Sequence, residues 1–404
     1  MACYLLPEDA NFRRVGAPIR AAVDFGHRLY LQSYGLSNYQ TEYRRELGLG
    51  LRWRALRQMD QDYHLFVHVI DSQGRMWGQK DALLQDGESL GTSAWQEETE
   101  HLCNHSVPIE PGTPPGEYWV EIGIYGLADL ARLDIIDKDE QKQGTAYVIG
   151  PIEVITPTVP PSMEDLGIPH SLNLRLEDKV EILGYGISSE CPRSGDEVAI
   201  TLFWRCLGEM DLSYDLVLRV ERDGGTVGFE RAKPTGATYP TDRWVQGEII
   251  RYPQSLPIAA DAASGTYGVY VNLLSTLDDQ PLAEQDLLLM ELCVEHRERI
   301  FSPPEIQFPM TVTLGDQIEL LGYDLQEGEV KPGGTLHLTL YWRALRPSDV
   351  SYTVFTHLLD ADSIVRGQRD GTPVMGERPT TGWAAGEVII DPYDIPISED
   401  AAPG

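Results

Sequence analysis

The sequence is poor in basic residues and has no long apolar run. Its 404 residues include 32 Lys and Arg against 63 Asp and Glu, a formal net charge of −31 at pH 7. Nucleic acids and anionic membrane surfaces bind clusters of Lys and Arg, so this balance argues against both as partners. No apolar run reaches the roughly 18 residues that a membrane-crossing helix needs, so we expect no direct membrane insertion.

Cysteine is also scarce, and its spacing is uninformative. The five cysteines include no C-x-x-C pair, so the sequence indicates neither a disulfide framework nor a zinc site. We therefore expect each to be a buried thiol that packs as a small hydrophobe. The N-terminus, "MACYLLPEDANFRRVGAPIR", has no basic segment followed by an apolar core, so we predict no signal peptide.

Familiar catalytic motifs are missing as well. The chain contains no G-x-S-x-G and no H-E-x-x-H, and "RDGGTVG" lacks the lysine of a phosphate-binding loop. A group of acidic residues could attract calcium, but it has no EF-hand pattern and fits a solvated loop better: Asp134, Asp137, Asp139 and Glu140. We predict no catalytic residue, no metal site and no cofactor.

What the sequence does contain is one pattern written three times. "GLRWRAL", "TLFWRCL" and "TLYWRAL" are centred on Trp53, Trp204 and Trp342. A tyrosine precedes each tryptophan by 19 residues, and three later landmarks keep nearly the same spacing. With the tyrosine first, the landmarks are Tyr34, Tyr185 and Tyr323; His68, Arg219 and His357; Trp95, Trp244 and Trp383; Gly116, Gly265 and Gly404. Such agreement predicts a triplicated module.

Proline-rich connectors mark the boundaries between the copies. "TPTVPPS" and "FSPPEIQFP" divide the chain into modules at 20–155, 170–300 and 312–404. The strand-like run that follows Gly116 and Gly265 has no counterpart after Gly404, so we expect the third module to be truncated and to lack its last strands. The first module carries extra residues around "LADLARLDIIDKDEQKQ".

Residue alternation predicts the fold class. Leu336, Leu338, Leu340 and Trp342 fall on one face of a period-two run, which is typical of a strand with one buried face. Short strands separated by Gly/Pro turns, without long amphipathic helices, predict an all-β protein of three tandem immunoglobulin-like β-sandwich modules. A β-barrel is the alternative.

Two repeated positions are candidate functional sites. His68 and His357 become Arg219 in the second copy, and an arginine could replace neither a metal ligand nor a general base, so a structural role on a strand is favoured. Trp95, Trp244 and Trp383 lie in loops and could stack on sugar rings, as could Trp77 and Trp119. The alternative is that the recurring tryptophan closes the end of each core.

The third copy also resembles a known group of modules. "LLGYDLQEGEVKPGGTLHLTLYWRALRPSDVSYTVFTHLLDAD" is similar to β-sandwich modules that follow membrane glycosyltransferases, of the dolichyl-phosphate-mannose mannosyltransferase type, in Chloroflexi-type bacteria. "EYRRELGLGLRW" and "RVERDGGTV" in the first two copies depart from that pattern. The resemblance implies an extracytoplasmic or cell-envelope accessory region, and it carries over no catalytic residue.

Three functional hypotheses remain open. The first is a non-catalytic extracytoplasmic repeat protein that acts as a spacer or interaction region, with glycans or cell-envelope proteins as partners. The second is a carbohydrate-binding accessory region of a cell-envelope glycosyltransferase. The third is a hydrolase with a site between modules. The sequence does not indicate an oligomeric state.

Overall fold

The computed structural model describes residues 17–43, 45–87, 90–128, 130–326, 328–348 and 350–402. Strands make up 52% of the structure and helices 4%, so the all-β, sandwich-type fold is confirmed. The only α-helical turn in these ranges is α1, Met163–Leu166. Short 3-10 turns occur at Thr92–Ala94, Thr241–Arg243, Val374–Gly376 and Thr380–Gly382.

The first repeat, residues 20–155 of the sequence, contains ten strands. They are β1 (Ile19–Phe25), β2 (Leu29–Leu36), β3 (Gln40–Thr41), β4 (Leu47–Ala55), β5 (Tyr63–Ile70), β6 (Met76–Leu83), β7 (Glu100–Val107), β8 (Gly116–Gly126), β9 (Ile135–Ile136) and β10 (Tyr147–Val154). The extra residues of this repeat form the loop that carries β9, which pairs with β1. In that loop the Asp137 carboxylate accepts hydrogen bonds from the backbone N–H groups of Asp139 and Gln141.

The second repeat has eight strands, and the third has six within the described residues. The second, residues 170–300, contains β11 (His170–Leu176), β12 (Val180–Ile187), β13 (Glu197–Cys206), β14 (Tyr214–Arg222), β15 (Gly225–Ala232), β16 (Ile249–Pro257), β17 (Gly265–Ser275) and β18 (Leu287–Val294). The third begins with β19 (Phe308–Leu314), which starts before the predicted boundary at residue 312, and continues with β20 (Ile318–Leu325), β21 (Thr335–Ala344), β22 (Val354–Leu359), β23 (Val365–Gly371) and β24 (Val388–Pro396). Gly404 lies outside the described residues.

Each repeat builds a first sheet in the same order. The orders are β7-β4-β2-β1-β9, β16-β13-β12-β11 and β24-β21-β20-β19. The second sheets have the orders β3-β10-β8-β5-β6, β18-β17-β14-β15 and β22-β23. The three copies of the tryptophan motif therefore occupy equivalent central strands, β4, β13 and β21.

The core of the first repeat lies between its two sheets. Trp53 is fully buried and meets the edge of Phe25, with ring centroids 5.6 Å apart. The facing sheet contributes buried aliphatic side chains to the same cluster, among them Leu65, Val67 and Val120. Buried and half-buried residues alternate from Leu51 to Ala55 in β4, which brings every second side chain of this segment to the core. The tryptophan motif thus marks the core, as its alternation predicts.

Contacts between Cα atoms divide the chain into two compact units. One unit comprises residues 1–185, 202–213 and 234–252, and the other comprises 186–201, 214–233 and 253–404. The division into three domains at 20–155, 170–300 and 312–404, with the third truncated, stays a prediction. The term "repeat" denotes these three sequence intervals.

We predict that Trp53→Ala lowers the free energy of unfolding by about 3–5 kcal/mol, because it opens a cavity in a close-packed core. Urea unfolding followed by circular dichroism measures the loss. The matched control is Trp119→Ala, which removes a half-buried ring from β8 of the same repeat and is expected to cost less. Equal losses for the two variants would contradict the inward position of Trp53.

Candidate functional sites: tryptophan loops and repeat junctions

The three loop tryptophans are buried core residues. Trp95, Trp244 and Trp383 have exposed fractions of 0%, 2% and 2%. Each indole N–H donates to an oxygen of its own repeat: Leu90 O at 3.0 Å, Thr235 Oγ1 at 3.3 Å and Arg378 O at 2.9 Å. Their faces are taken by protein, as where the Trp95 ring stacks on His101 with centroids 4.0 Å apart.

This burial favours the interpretation that the tryptophans close the cores. Stacking on a sugar needs a ring face open to solvent, and none of the three offers one. Of the two further candidates, Trp77 is 1% exposed and lies beneath Tyr252, at a centroid distance of 5.6 Å, and Trp119 is half-buried. A carbohydrate contact at Trp95, Trp244 or Trp383 stays a prediction, and the burial of the three rings does not favour it.

Each tryptophan loop contains a buried threonine that begins its 3-10 turn, and the sequence reasoning missed this residue. It lies three residues before the tryptophan and begins a 3-10 turn: Thr92, Thr241 and Thr380. Thr92 Oγ1 accepts a hydrogen bond from Tyr63 N–H at 2.9 Å, and Thr380 Oγ1 accepts one from Tyr352 N–H at 2.9 Å. The repeated T-x-x-W spacing was the signal that could have revealed it.

The position of His68, Arg219 and His357 lies beside a carboxylate in each repeat. His68 Nδ1 lies 3.2 Å from Glu121 Oε2 on β8, Arg219 pairs with Asp286, and His357 Nε2 lies 3.8 Å from Asp370 Oδ1 on β23. A carboxylate neighbour accepts either a histidine or an arginine, which explains why the residue type varies. No group of three or more His, Cys, Asp or Glu in the described ranges could hold a metal ion.

The second and third repeats share a buried glutamate near the point where a connector enters the repeat. Four residues after Trp244 and Trp383, the motif W-x-x-G-E places Glu248 and Glu387, with exposed fractions of 3% and 0%. Each carboxylate accepts the backbone N–H that follows its tryptophan, from Val245 at 3.1 Å and from Ala384 at 2.8 Å. The carboxylates therefore close their own loops and still have acceptor capacity for other donors.

The remaining acceptor capacity of each glutamate is used by residues outside the tryptophan loop. At Glu248 the donors are Thr156 Oγ1, in the connector, at 3.0 Å and the Tyr239 hydroxyl at 2.8 Å. At Glu387 they are the guanidinium groups of Arg299, at the end of the second repeat, and Arg378. Arg299, whose side chain is 4% exposed, also donates to the carbonyls of Ala260, Ser194 and Gly382 at 3.1, 2.9 and 3.1 Å.

The Arg299 contacts hold two backbone segments at very short range. Gly382 and Gly195 approach so closely that a Cβ atom on Gly382 would lie 1.9 Å from the carbonyl oxygen of Gly195. Only glycine fits at that position. Arg299 thus joins the second repeat, at Ser194 and Ala260, to the third, at Gly382 and Glu387, in what we call the arginine clamp.

Apolar side chains cover the sheet beside each glutamate. Leu166 and Ile168 of the first connector pack on Leu183, Phe203 and Ile249. Leu166 is placed there by α1, whose first turn is held by reciprocal hydrogen bonds between Ser162 and Asp165. In the second connector, Ile306 packs on an equivalent trio, Leu321, Tyr341 and Val388. We call each trio with its glutamate a junction socket.

The first repeat has polar residues at all four socket positions. The trio is Gln32, Arg52 and Glu100, and Thr99 replaces the glutamate. Gln32 Nε2 and Arg52 Nη1 donate to the Glu100 carboxylate at 2.8 and 3.4 Å. The same sheet face is therefore apolar where a described connector covers it and polar in the first repeat. This correlation ties the four socket residues to connector docking.

The cysteine expectation was wrong for one pair. Cys191 and Cys293 form a disulfide with Cα atoms 4.5 Å apart, although 102 positions separate them in sequence. Such a separation gives no spacing signal, because only the fold brings the turn after β12 beside β18. Cys103 and Cys206 are buried free thiols, as expected. Cys3 lies outside the described residues.

The fold and these sites define an all-β, sandwich-type protein with internal repeats and socketed connectors. None of its described helices has the length and apolar character to cross a membrane. No known protein-family model matches the sequence, and no curated protein gives a match.

We predict that replacing both Cys191 and Cys293 by Ala lowers the free energy of unfolding by about 4–5 kcal/mol, because the disulfide closes a loop of about 100 residues in the unfolded chain. Urea unfolding with and without dithiothreitol measures this. The reductant should destabilise the wild-type protein and leave the double variant unchanged. An equal effect on both would contradict the assignment.

Burial raises the pKa of Glu248 above its ordinary value of 4.5, against the opposing effect of hydrogen bonds from Val245, Tyr239 and Thr156. A raised folded-state pKa gives stability that is complete below the unfolded pKa and is lost as pH rises through the folded pKa. We therefore predict that Glu248→Gln becomes more stable relative to wild type as pH rises above 4.5. Urea midpoints at several pH values measure this. A constant difference would contradict it.

Proposed function

We propose that the chain is a non-catalytic, extracytoplasmic repeat region that acts as a spacer and interaction region. The observation that carries the proposal is the arginine clamp, in which the buried Glu387 binds Arg299 and Arg378. A spacer needs fixed junctions between its parts. Buried charges that satisfy one another hold a junction in one geometry, because any rearrangement leaves an unpaired charge out of water.

The disulfide supports the proposed extracytoplasmic location. Disulfides persist in oxidising environments and are rare in the cytosol, so the Cys191–Cys293 pair fits an extracytoplasmic location. The resemblance to modules that follow membrane glycosyltransferases agrees with this location and stays a prediction. The net charge of −31 supports partners other than nucleic acid or anionic membrane.

Two other functions stay hypotheses. A carbohydrate-binding accessory role would need exposed rings, and the three loop tryptophans are buried. A hydrolase with an inter-module site would need a nucleophile, a base and an oxyanion site together. No specific observation favours either hypothesis.

We predict that Glu387→Gln lowers the free energy of unfolding of the unit that contains it by about 3–5 kcal/mol, because the buried Arg299 side chain and the half-buried Arg378 lose their counter-charge. Glu248→Gln is the matched control. It occupies the same motif position, but its donors are neutral, so we expect a loss of about 1 kcal/mol at neutral pH. Chemical denaturation measures both.

A distance measurement tests the spacer role directly. Spin labels on Asp223→Cys in the second repeat and Lys331→Cys in the third, both exposed and both in the second compact unit, report on the junction by pulsed electron resonance. We expect a narrow distance distribution that Glu387→Gln broadens and Glu248→Gln leaves unchanged. A broad distance distribution in the labelled protein with Glu387 unchanged would refute a fixed junction.

A further inference from the structure

The second sheet of the second repeat carries an unusual row of side chains on its outer face. The sheet has the order β15-β14-β17-β18, and cross-strand pairing aligns one residue from each strand. In the order of the strands these are Phe229, Arg219, Tyr270 and Leu288, which we call the aromatic row. Phe229 and Leu288 are 50% and 49% exposed, and the two residues between them are half-buried. The row therefore crosses the whole sheet and meets solvent at both ends.

The two aromatic side chains of this row are specific to the second repeat. Cross-strand pairing puts Gln79 of the first repeat and Gln368 of the third at the position of Phe229. Glu121 of the first repeat lies at the position of Tyr270. Polar residues thus serve the fold at both positions. Exposed apolar patches mark interaction sites, so the aromatic replacements in the second repeat indicate a surface that another molecule covers.

A second row lies beside the aromatic row on the same face. It consists of Thr226, Glu221, Gly268 and Glu291, again one residue from each strand, and we call it the acidic row. The Thr226 hydroxyl donates to a Glu221 carboxylate oxygen at 3.2 Å. The Tyr270 ring covers Gly268, where a Cβ atom would lie 2.7 Å from the ring. Tyr270 therefore lies close to the sheet and leaves the face flat.

The aromatic row is complementary to itself. Stacked sheets pack about 10 Å apart with their strands roughly aligned. A two-fold axis that runs along the strands, midway between two such faces, reverses the order of the row. Phe229 of one copy then lies opposite Leu288 of the other, and Arg219 lies opposite the ring of Tyr270. These are an apolar contact and a cation–π contact, and each occurs twice in the pair.

The acidic row fits the same symmetry. Reversal of its order places Glu291 of one copy opposite the Thr226 hydroxyl of the other, and Glu221 opposite Gly268. No carboxylate of the row then faces another. A two-fold axis along the row would instead place Arg219 opposite its own copy, which like charges oppose. A two-fold contact needs a patch that matches itself, and the first axis gives this match in both rows.

We propose that the outer face of the β15-β14-β17-β18 sheet binds the same face of a second copy of the chain. Phe229 packs on Leu288 of the other copy, and Arg219 lies over its Tyr270. This names a partner for the interaction part of the proposed function. The arginine clamp at Glu387 lies outside this sheet, so either proposal can fail without the other.

Sedimentation velocity of the 404-residue chain, from about 1 μM to about 1 mM, tests the association. We expect a reversible change from one chain to two, and no larger species, because a closed two-fold contact uses the face of both copies. Each copy has a formal net charge of −31. The dimer should therefore become tighter between about 0.02 and 0.3 M salt, since salt screens the long-range repulsion.

Two charge variants test the contact itself. Phe229→Glu and Leu288→Lys should each weaken dimerisation at least about tenfold, because each places a charge against an apolar side chain. Both residues are exposed, so folding should stay intact. The two changes shift the net charge in opposite directions, so a loss in both cannot come from net charge.

Mixing the two variants tests the pairing. An equimolar mixture should recover dimers, because the introduced carboxylate meets the introduced ammonium in one contact while Phe229 meets Leu288 in the other. The matched control is Val148→Lys. Val148 faces Glu121 in the first repeat as Leu288 faces Tyr270, and it is also 49% exposed, so its replacement should change nothing.

Four results would overturn the proposal. They are a chain that stays monomeric up to about 1 mM, dimers that survive both charge variants, a mixture of the variants that stays monomeric, and equal weakening by Val148→Lys. A monomeric chain that binds soluble cell-wall saccharides, and loses them in Phe229→Glu, would assign the face to a glycan instead. Recovery of dimers only in the mixture would support the proposal most directly.

Discussion

An apolar sheet face must be kept from water, and this requirement connects the main features of the structure. In the first repeat two sheets cover each other, with Trp53 and Phe25 in the space between them. Removing such side chains from water is the largest favourable contribution to folding, and it scales with the apolar area that is covered. The outer face of the first sheet follows the same rule. It is apolar at Phe203 and Tyr341, where a connector covers it, and polar at Arg52.

The junction sockets show how neighbouring repeats are joined. Aliphatic contacts from the connectors supply non-directional attraction, which alone would allow sliding. Glu248 and Glu387 add direction, because a buried carboxylate accepts hydrogen bonds only from donors in particular positions. At Glu387 those donors carry charge, so the clamp with Arg299 makes the geometry at the second connector more specific than at the first.

Sequence reasoning found the class of fold because strand alternation and repeat spacing are local signals. The period-two pattern leading into Trp342 predicts its inward side, and the repeat of that pattern predicts equivalent strands. The functional hypotheses gained less, since the carbohydrate-contact residues lie in loops whose burial depends on the packing of the whole repeat. A tryptophan in a loop looks the same in sequence whether its ring is covered or open.

The sequence by itself determined the all-β class, the equivalence of β4, β13 and β21, and the inward position of their tryptophans. These depend on which residues alternate along a strand. Tertiary structure alone decided that Cys191 meets Cys293 and that Arg299 reaches Glu387. Each of these contacts joins residues far apart in the chain, so local periodicity carries no signal for it.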